Sequence, residues 1–160
     1  MADLPFMAGE LQQPVSLVVD KIILRLYKQE GIFMKVNHIA LYVNDLEKMR
    51  AFYVKYFDAK SNKMYHNPNT GLKTYFLEFI NGCRVEIMTK GNLNNIEKDL
   101  NNTGYIHLAF SVGSKDKVNE LTGLLEDDGY EIISQPRTTG DGYYESCIID
   151  PENNQIEIVE

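Results

Sequence analysis

The chain states one pattern twice. "KVNHIALYV" (Lys35–Val43) alternates Ile39, Leu41 and Val43 with His38, Ala40 and Tyr42, the period of a half-buried strand. "YIHLAFSV" (Tyr105–Val112) does the same, with Ile106, Leu108 and Phe110 set against His107 and Ala109. Behind the first strand comes "NDLEKMRAFYVKYF", in which Leu46, Met49, Phe52, Tyr53 and Phe57 recur at helical spacing after Asn44 and Glu47, spaced as a capping box. Short strands follow near Ala59–Tyr65, in "LKTYFLEF" and in "CRVEIMT", with "HNPNTG" as a turn and Asn81–Gly82 as a tight hairpin. Behind the second strand, Ser114 opens a helix with Val118, Leu121, Leu124 and Leu125 on one face, and Gly129 stops it. "YEIIS", "YYESCIID" and "NQIEIVE" then read as strands. Both copies run strand, helix, strand, strand, strand.

The expected organisation is therefore one α+β domain over 34–160: module one at 34–90, an Asn- and Gly-rich connector at 91–103, and module two at 104–160. At 160 residues in all, two such half-size modules must share a core to be stable. Residues 1–33 do not follow the pattern. "VSLVVDKIILRLYKQ" has helical spacing, is too short to span a bilayer and is interrupted by Asp20, Lys21 and Arg25. It reads as an accessory extension, helical and not native to the domain.

The repeat extends to residues that can bind an ion. His107 follows His38, and Glu157 follows Glu86, by about 70 residues in each case. Successive strand residues point to opposite faces, so if Ile39, Leu41, Val85 and Ile87 cover a helix, His38 and Glu86 point the other way. Module two repeats the arrangement, with Ile106, Leu108, Ile156 and Ile158 inward and His107 and Glu157 outward. A lone histidine or glutamate on a strand is ordinarily a solvated residue. Two of each at matched positions form a donor set for a divalent metal such as Ni, Zn, Co, Mn or Fe. The lack of thiolates among them argues against a structural zinc knot. Converging on one ion, they leave coordination places for water or a chelating substrate, and one carboxylate can detach as a base.

Composition narrows the remainder. A net charge of −7 argues against nucleic acid as a partner. The two cysteines, Cys83 and Cys147, have no CxxC spacing, and "MADLPFMAGE" has no basic lead into an apolar run, so a cytoplasmic protein with no membrane attachment is expected. Cys83 shares parity with Val85 and is expected to pack toward the helices. His66 reads as an exposed turn residue, and Arg137 and Tyr144 as rim residues.

From Met34 to Glu160 the chain resembles the vicinal oxygen chelate superfamily, which includes the bleomycin resistance proteins, and within it the glyoxalase I (lactoylglutathione lyase) type. The stretches that carry the resemblance are "NHIALYVNDL", "RVEIM", "IHLAFSV" and "DPENNQIEIVE". The resemblance implies two βαβββ modules forming a curved mixed sheet around a metal cleft, with one divalent metal per site held by His38, Glu86, His107 and Glu157. Fosfomycin-modifying and extradiol-cleaving relatives lack an acid at the position of Glu86, methylmalonyl-CoA epimerases typically carry glutamine there, and drug-sequestering relatives have generally lost the ligands. The implied reaction isomerises the hemithioacetal of a thiol and a 2-oxoaldehyde through an enediolate, with Glu157 as main base and Glu86 as complementary acid–base group. Bacterial glyoxalases of this type hold glutathione with an arginine four residues after the first ligand histidine and an asparagine four after the first ligand glutamate. This chain has Tyr42 and Lys90 at those places, which with Arg84 are the candidate substrate-binding residues. The alternatives are another metalloenzyme of the superfamily (epimerase or dioxygenase) or a small-molecule-binding resistance protein. A homodimer is expected, because a complete site needs a first module facing a second, from one chain or from two chains exchanging halves.

Overall fold

In the computed structural model the described residues are 35–96, 98 and 102–160, so the extension at residues 1–33, with the helix expected in it, lies outside them. Module one runs β1 (Ile39–Tyr42), α1 (Leu46–Phe57), β2 (Lys60–Ser61), β3 (Tyr65–His66), β4 (Lys73–Glu78) and β5 (Arg84–Thr89). Module two runs β6 (His107–Ser111), α2 (Lys115–Asp127), β7 (Ile132–Thr138), β8 (Tyr144–Ile149) and β9 (Gln155–Val159). Each module folds its own mixed sheet: β1-β5-β4-β2, with β3 also on β4, and β6-β9-β8-β7. The first strand of each module lies parallel to its last, and the registers correspond: Ala40 faces Glu86, and Ala109 faces Glu157. β1 and β6 are both end strands of their sheets.

The alternation expected along the strands is the one observed, except that Ile106, expected inward, lies ahead of β6 and is exposed. Leu77, Val85, Ile87, Ile148, Ile156 and Ile158 are buried with Met49, Phe52 and Tyr53 of α1 and with Val118 and Leu125 of α2. One apolar core serves both modules. Phe110 of β6 lies 4.4 Å from Phe57 and 4.9 Å from Phe79 between ring centroids, and Tyr130 lies 5.1 Å from Phe52. This core occupies the helix-side faces of the two sheets, so the opposite faces are excluded from it.

The details depart from the sequence reading at several points. The cap of α1 is Asp45, whose carboxylate accepts from the Lys48 amide at 2.9 Å, and not an Asn44–Glu47 box. Asn44 instead donates, through its backbone and side-chain nitrogens, to Glu152 of module two at 2.9 and 2.8 Å. The hairpin between β4 and β5 turns through a 3-10 segment, Ile80–Gly82, closed by Gly82 at φ 76°. Cys83 is exposed and does not pack toward the helices, because β5 begins only at Arg84 and strand parity does not reach it. On α2, Leu124 is exposed and Thr122 takes a buried place, its hydroxyl 2.6 Å from the Val118 carbonyl and 2.6 Å from Ser146 Oγ. β7 continues through Pro136 to Thr138; it is an edge strand with shifted register there, so the missing N–H breaks no ladder. His66 pairs with Lys73 in β3, exposed but not in a turn.

Candidate metal centre

His38 sits one residue ahead of β1, and Glu86 lies in the middle of β5 beside it. The imidazole Nε2 is 3.4 Å from Glu86 Oε2. In module two, His107 opens β6 and its Nε2 is 3.2 Å from Glu157 Oε2 on β9. Both imidazoles are 35% exposed, whereas the carboxylates are 15% and 20% exposed, so each pair is more open to solvent at the imidazole than at the acid. Two donors at adjacent octahedral positions around an ion with bonds of about 2.1 Å lie about 3 Å apart, so either pair can grip one ion without moving far. The nitrogen-and-carboxylate donor set fits a catalytic divalent metal with open coordination places.

Within one chain the four residues form two pairs and not one group of four. Among the described residues, no three of His, Cys, Asp and Glu come together around a common point. The shared core explains the separation, because the modules pack through their helix sides and the donor pairs lie on the faces excluded from that core.

The two pairs have different surroundings. In module one the Thr74 hydroxyl, buried on β4, donates to Glu86 Oε1 at 2.9 Å. The His38 ring meets Phe76 edge-on at 5.3 Å, and its Nδ1 is 2.9 Å from Asn37 Oδ1. Arg84 donates to that same Asn37 oxygen, and its guanidinium lies over the Phe76 ring at 5.1 Å. Arg84 thus buttresses the histidine and pairs with no acid among the described residues. In module two, Cys147 lies opposite Glu157 across β8 and β9, its thiol 3.6 Å from Gln155 Oε1. Burial, with the nearby charges of Glu157 and Glu145, pushes the Cys147 thiol up to about 11. Burial likewise holds the Glu157 carboxyl above its ordinary value, against the pull of His107 and with Glu145 adding to the rise.

Tyr42 and Lys90 come together, the Lys90 ammonium 5.1 Å from the centre of the Tyr42 ring. Both line a cleft of about 1000 Å³ that continues past Asn92 of the connector to Ile133 and Ile149 of module two; none of the four predicted ligands lines it. Arg137 donates to Ser134, and Tyr144 hydrogen-bonds Asn119 at 2.9 Å, which makes both local braces. Sequence reasoning missed Thr74, Asn37 and Glu152. Asn37 adjoins His38 and was findable by proximity, but Thr74 becomes visible only once the β4–β5 register is known.

Comparison with known proteins agrees with this architecture. The profile of the Glyoxalase/Bleomycin resistance protein/Dioxygenase superfamily matches residues 35–158. A Bacillus subtilis (strain 168) protein described as "Uncharacterized protein YqjT" is 30% identical over 127 residues, covering 78% of this chain and 97% of that one. A glyoxylase/bleomycin resistance protein/dioxygenase domain from Frankia sp. EAN1pec superposes with a TM-score of 0.68 at 20% identity, over 80% of this chain and 98% of that chain. The trypanothione-dependent glyoxalase I of Leishmania major does so with a TM-score of 0.65 at 19% identity, over 80% and 87% of the two chains. At these identities the structural matches show the shared fold.

Proposed function

The chain belongs to the Glyoxalase/Bleomycin resistance protein/Dioxygenase superfamily, and from that membership we propose that it is a metal-dependent isomerase of the glyoxalase I (lyase) type, acting on the hemithioacetal of a 2-oxoaldehyde. The observation that carries the reading is the paired His–Glu motif, present twice in matching register with donor atoms 3.4 and 3.2 Å apart. His38 and Glu86 of one module and His107 and Glu157 of the other would hold the ion. When bound, it supplies Lewis-acid polarisation of the substrate's adjacent oxygens.

Since one chain presents two separated half-sites, the complete site in this reading forms between two copies. The β1 end of one copy meets the β6 end of the other, and a homodimer carries two sites. The chain's own residues then do the following. Glu157 takes the proton from the carbon bearing the sulfur and hydroxyl, which leaves an enediolate, and it returns that proton to the neighbouring carbon. The hydroxyl proton moves in the same sense, from the oxygen on the sulfur-bearing carbon to the oxygen on its neighbour, with Glu86 as complementary acid–base group, so the product is a 2-hydroxy thioester isomeric with the substrate. Tyr42 and Lys90, which line the neighbouring cleft and not the donor pairs themselves, would bind the thiol-bearing part of the substrate. The unpaired thiols Cys83 and Cys147 accord with a reducing, cytoplasmic setting.

Metal analysis of the purified protein, followed by assay of methylglyoxal with a series of thiols and with iron and oxygen controls, tests this reading. Stoichiometric divalent metal and thiol-dependent isomerisation are expected. Metal-free protein after metal-supplemented expression, or turnover only with iron and oxygen, would contradict it.

A further inference from the structure

The two half-sites are copies in backbone register and unlike in chemistry. Relative to the ligand glutamate, Phe76 and Cys147 occupy the same cross-strand place, and Thr74 and Glu145 the same diagonal one. Arg84 and Gln155 both stand two residues before the glutamate, and Asn37 and Ile106 both stand one before the histidine. In module one Thr74 and Asn37 contact the ligands with polar atoms, Arg84 bonds Asn37 behind them, and Phe76 meets the His38 ring edge-on. Module two fills them with residues that give Glu157 no hydrogen-bond partner besides His107 among the described residues.

The contacts in module one dictate which atoms remain available. A guanidinium only donates, so the Asn37 atom that Arg84 touches is the amide carbonyl oxygen. That oxygen also lies 2.9 Å from His38 Nδ1, which holds this edge of the ring on the side of Asn37. Nε2 is thereby turned toward Glu86 Oε2. Thr74 does the equivalent for the acid: its buried hydroxyl occupies Oε1 and leaves Oε2 facing His38. One nitrogen and one oxygen are thus presented together before any ion arrives.

We infer that Thr74, Asn37 and Arg84 are positioning residues that preorganise Glu86 and His38 as the ion-holding pair of module one. This assignment rests on the functional reading above and deepens it by naming the residues that fix two of its four ligands.

The full-length protein, stripped of metal by dialysis and titrated calorimetrically with Ni²⁺, tests the inference. Thr74→Val is expected to weaken Ni²⁺ binding by about tenfold or more, the usual effect of losing such an outer partner. Thr74→Ser is expected to restore wild-type affinity, and the unfolding midpoint of the metal-free Thr74→Val protein should match that of wild type. Asn37→Leu is expected to weaken Ni²⁺ binding comparably, again with an unchanged unfolding midpoint of the metal-free protein. Wild-type affinity in Thr74→Val or in Asn37→Leu would overturn the inference while leaving the enzyme reading intact. A wild-type protein that takes up no Ni²⁺ would overturn both.

Discussion

Glu86 and Glu157 are the same residue type at the same register position, and their neighbours differ. Glu86 is held by a hydroxyl, whereas Glu157 lies beside a thiol and a second acid. In the proposed mechanism, replacing Glu157 by glutamine keeps the shape and one oxygen donor but removes the base. Metal content is therefore expected to persist while turnover falls by about 10²–10⁴-fold, the usual worth of a positioned general base. His38→Ala and His107→Ala are each expected to lose the metal outright, as measured by elemental analysis of the purified variants. Equal turnover in Glu157→Gln would remove Glu157 from the mechanism. The cysteines provide an independent check on the site's environment. Cys147 is half-buried with its thiol pushed up to about 11, so it holds little thiolate near neutral pH, while Cys83 is exposed. Iodoacetamide at pH 7.5 should modify Cys83 well before Cys147, as peptide mass mapping will show, and the reverse order would contradict the placement of both.

Among the elements, the start of α1 depends on module two as much as on its own cap. The Glu152 carboxylate accepts from the Asn44 and Asp45 amides at 2.9 and 2.7 Å and from the Asn44 side chain, and Lys98 of the connector donates to the Glu152 carbonyl at 2.7 Å. Burial pushes the Glu152 carboxyl up, and the amide hydrogen bonds outweigh it and hold it below its ordinary value. Folding therefore favours the charged form. That stabilisation is fully present above the unfolded-chain value and is lost as pH falls through the native one. Glu152→Gln is expected to cost about 1–3 kcal/mol near neutral pH. The gap should close as pH drops below about 4.3, which unfolding curves at pH 7 and pH 3 will measure. A pH-independent gap would contradict the charge-based account. Elements differ in how far they could be read in advance. Strand parity was legible, because Ile39, Leu41, Val85 and Ile87 alternate with polar residues and a sheet has only two faces. The contacts of Glu152 and Thr74 were not. The first partner is separated by 108 positions in sequence, and the second depends on a hairpin register set by a 3-10 turn that Asn81–Gly82 alone did not reveal.

As a whole molecule, the chain spends its apolar surface on joining its two modules and leaves its donor pairs outside. Phe110 is central to that junction, packed on Phe57, Phe79 and Tyr53 of module one. Phe110→Ala is expected to destabilise the fold by about 3–5 kcal/mol in denaturant unfolding, and a change below about 1 kcal/mol would contradict a shared core. The repeat, the module order and the pairing of each histidine with its glutamate were legible from residues 35–160, since duplication writes them twice. The failure of the pairs to meet within one chain was not legible, because it depends on which faces of the two modules pack together. A site shared between copies can be tested by mixing. His38→Ala lacks a donor only in module one, and His107→Ala only in module two. Co-refolded in equal amounts, the two variants should regain about a quarter of wild-type metal content and turnover, because half the dimers are mixed and each mixed dimer has one intact site. Mixtures that stay as metal-free and inactive as the separate variants would contradict a site built from two copies.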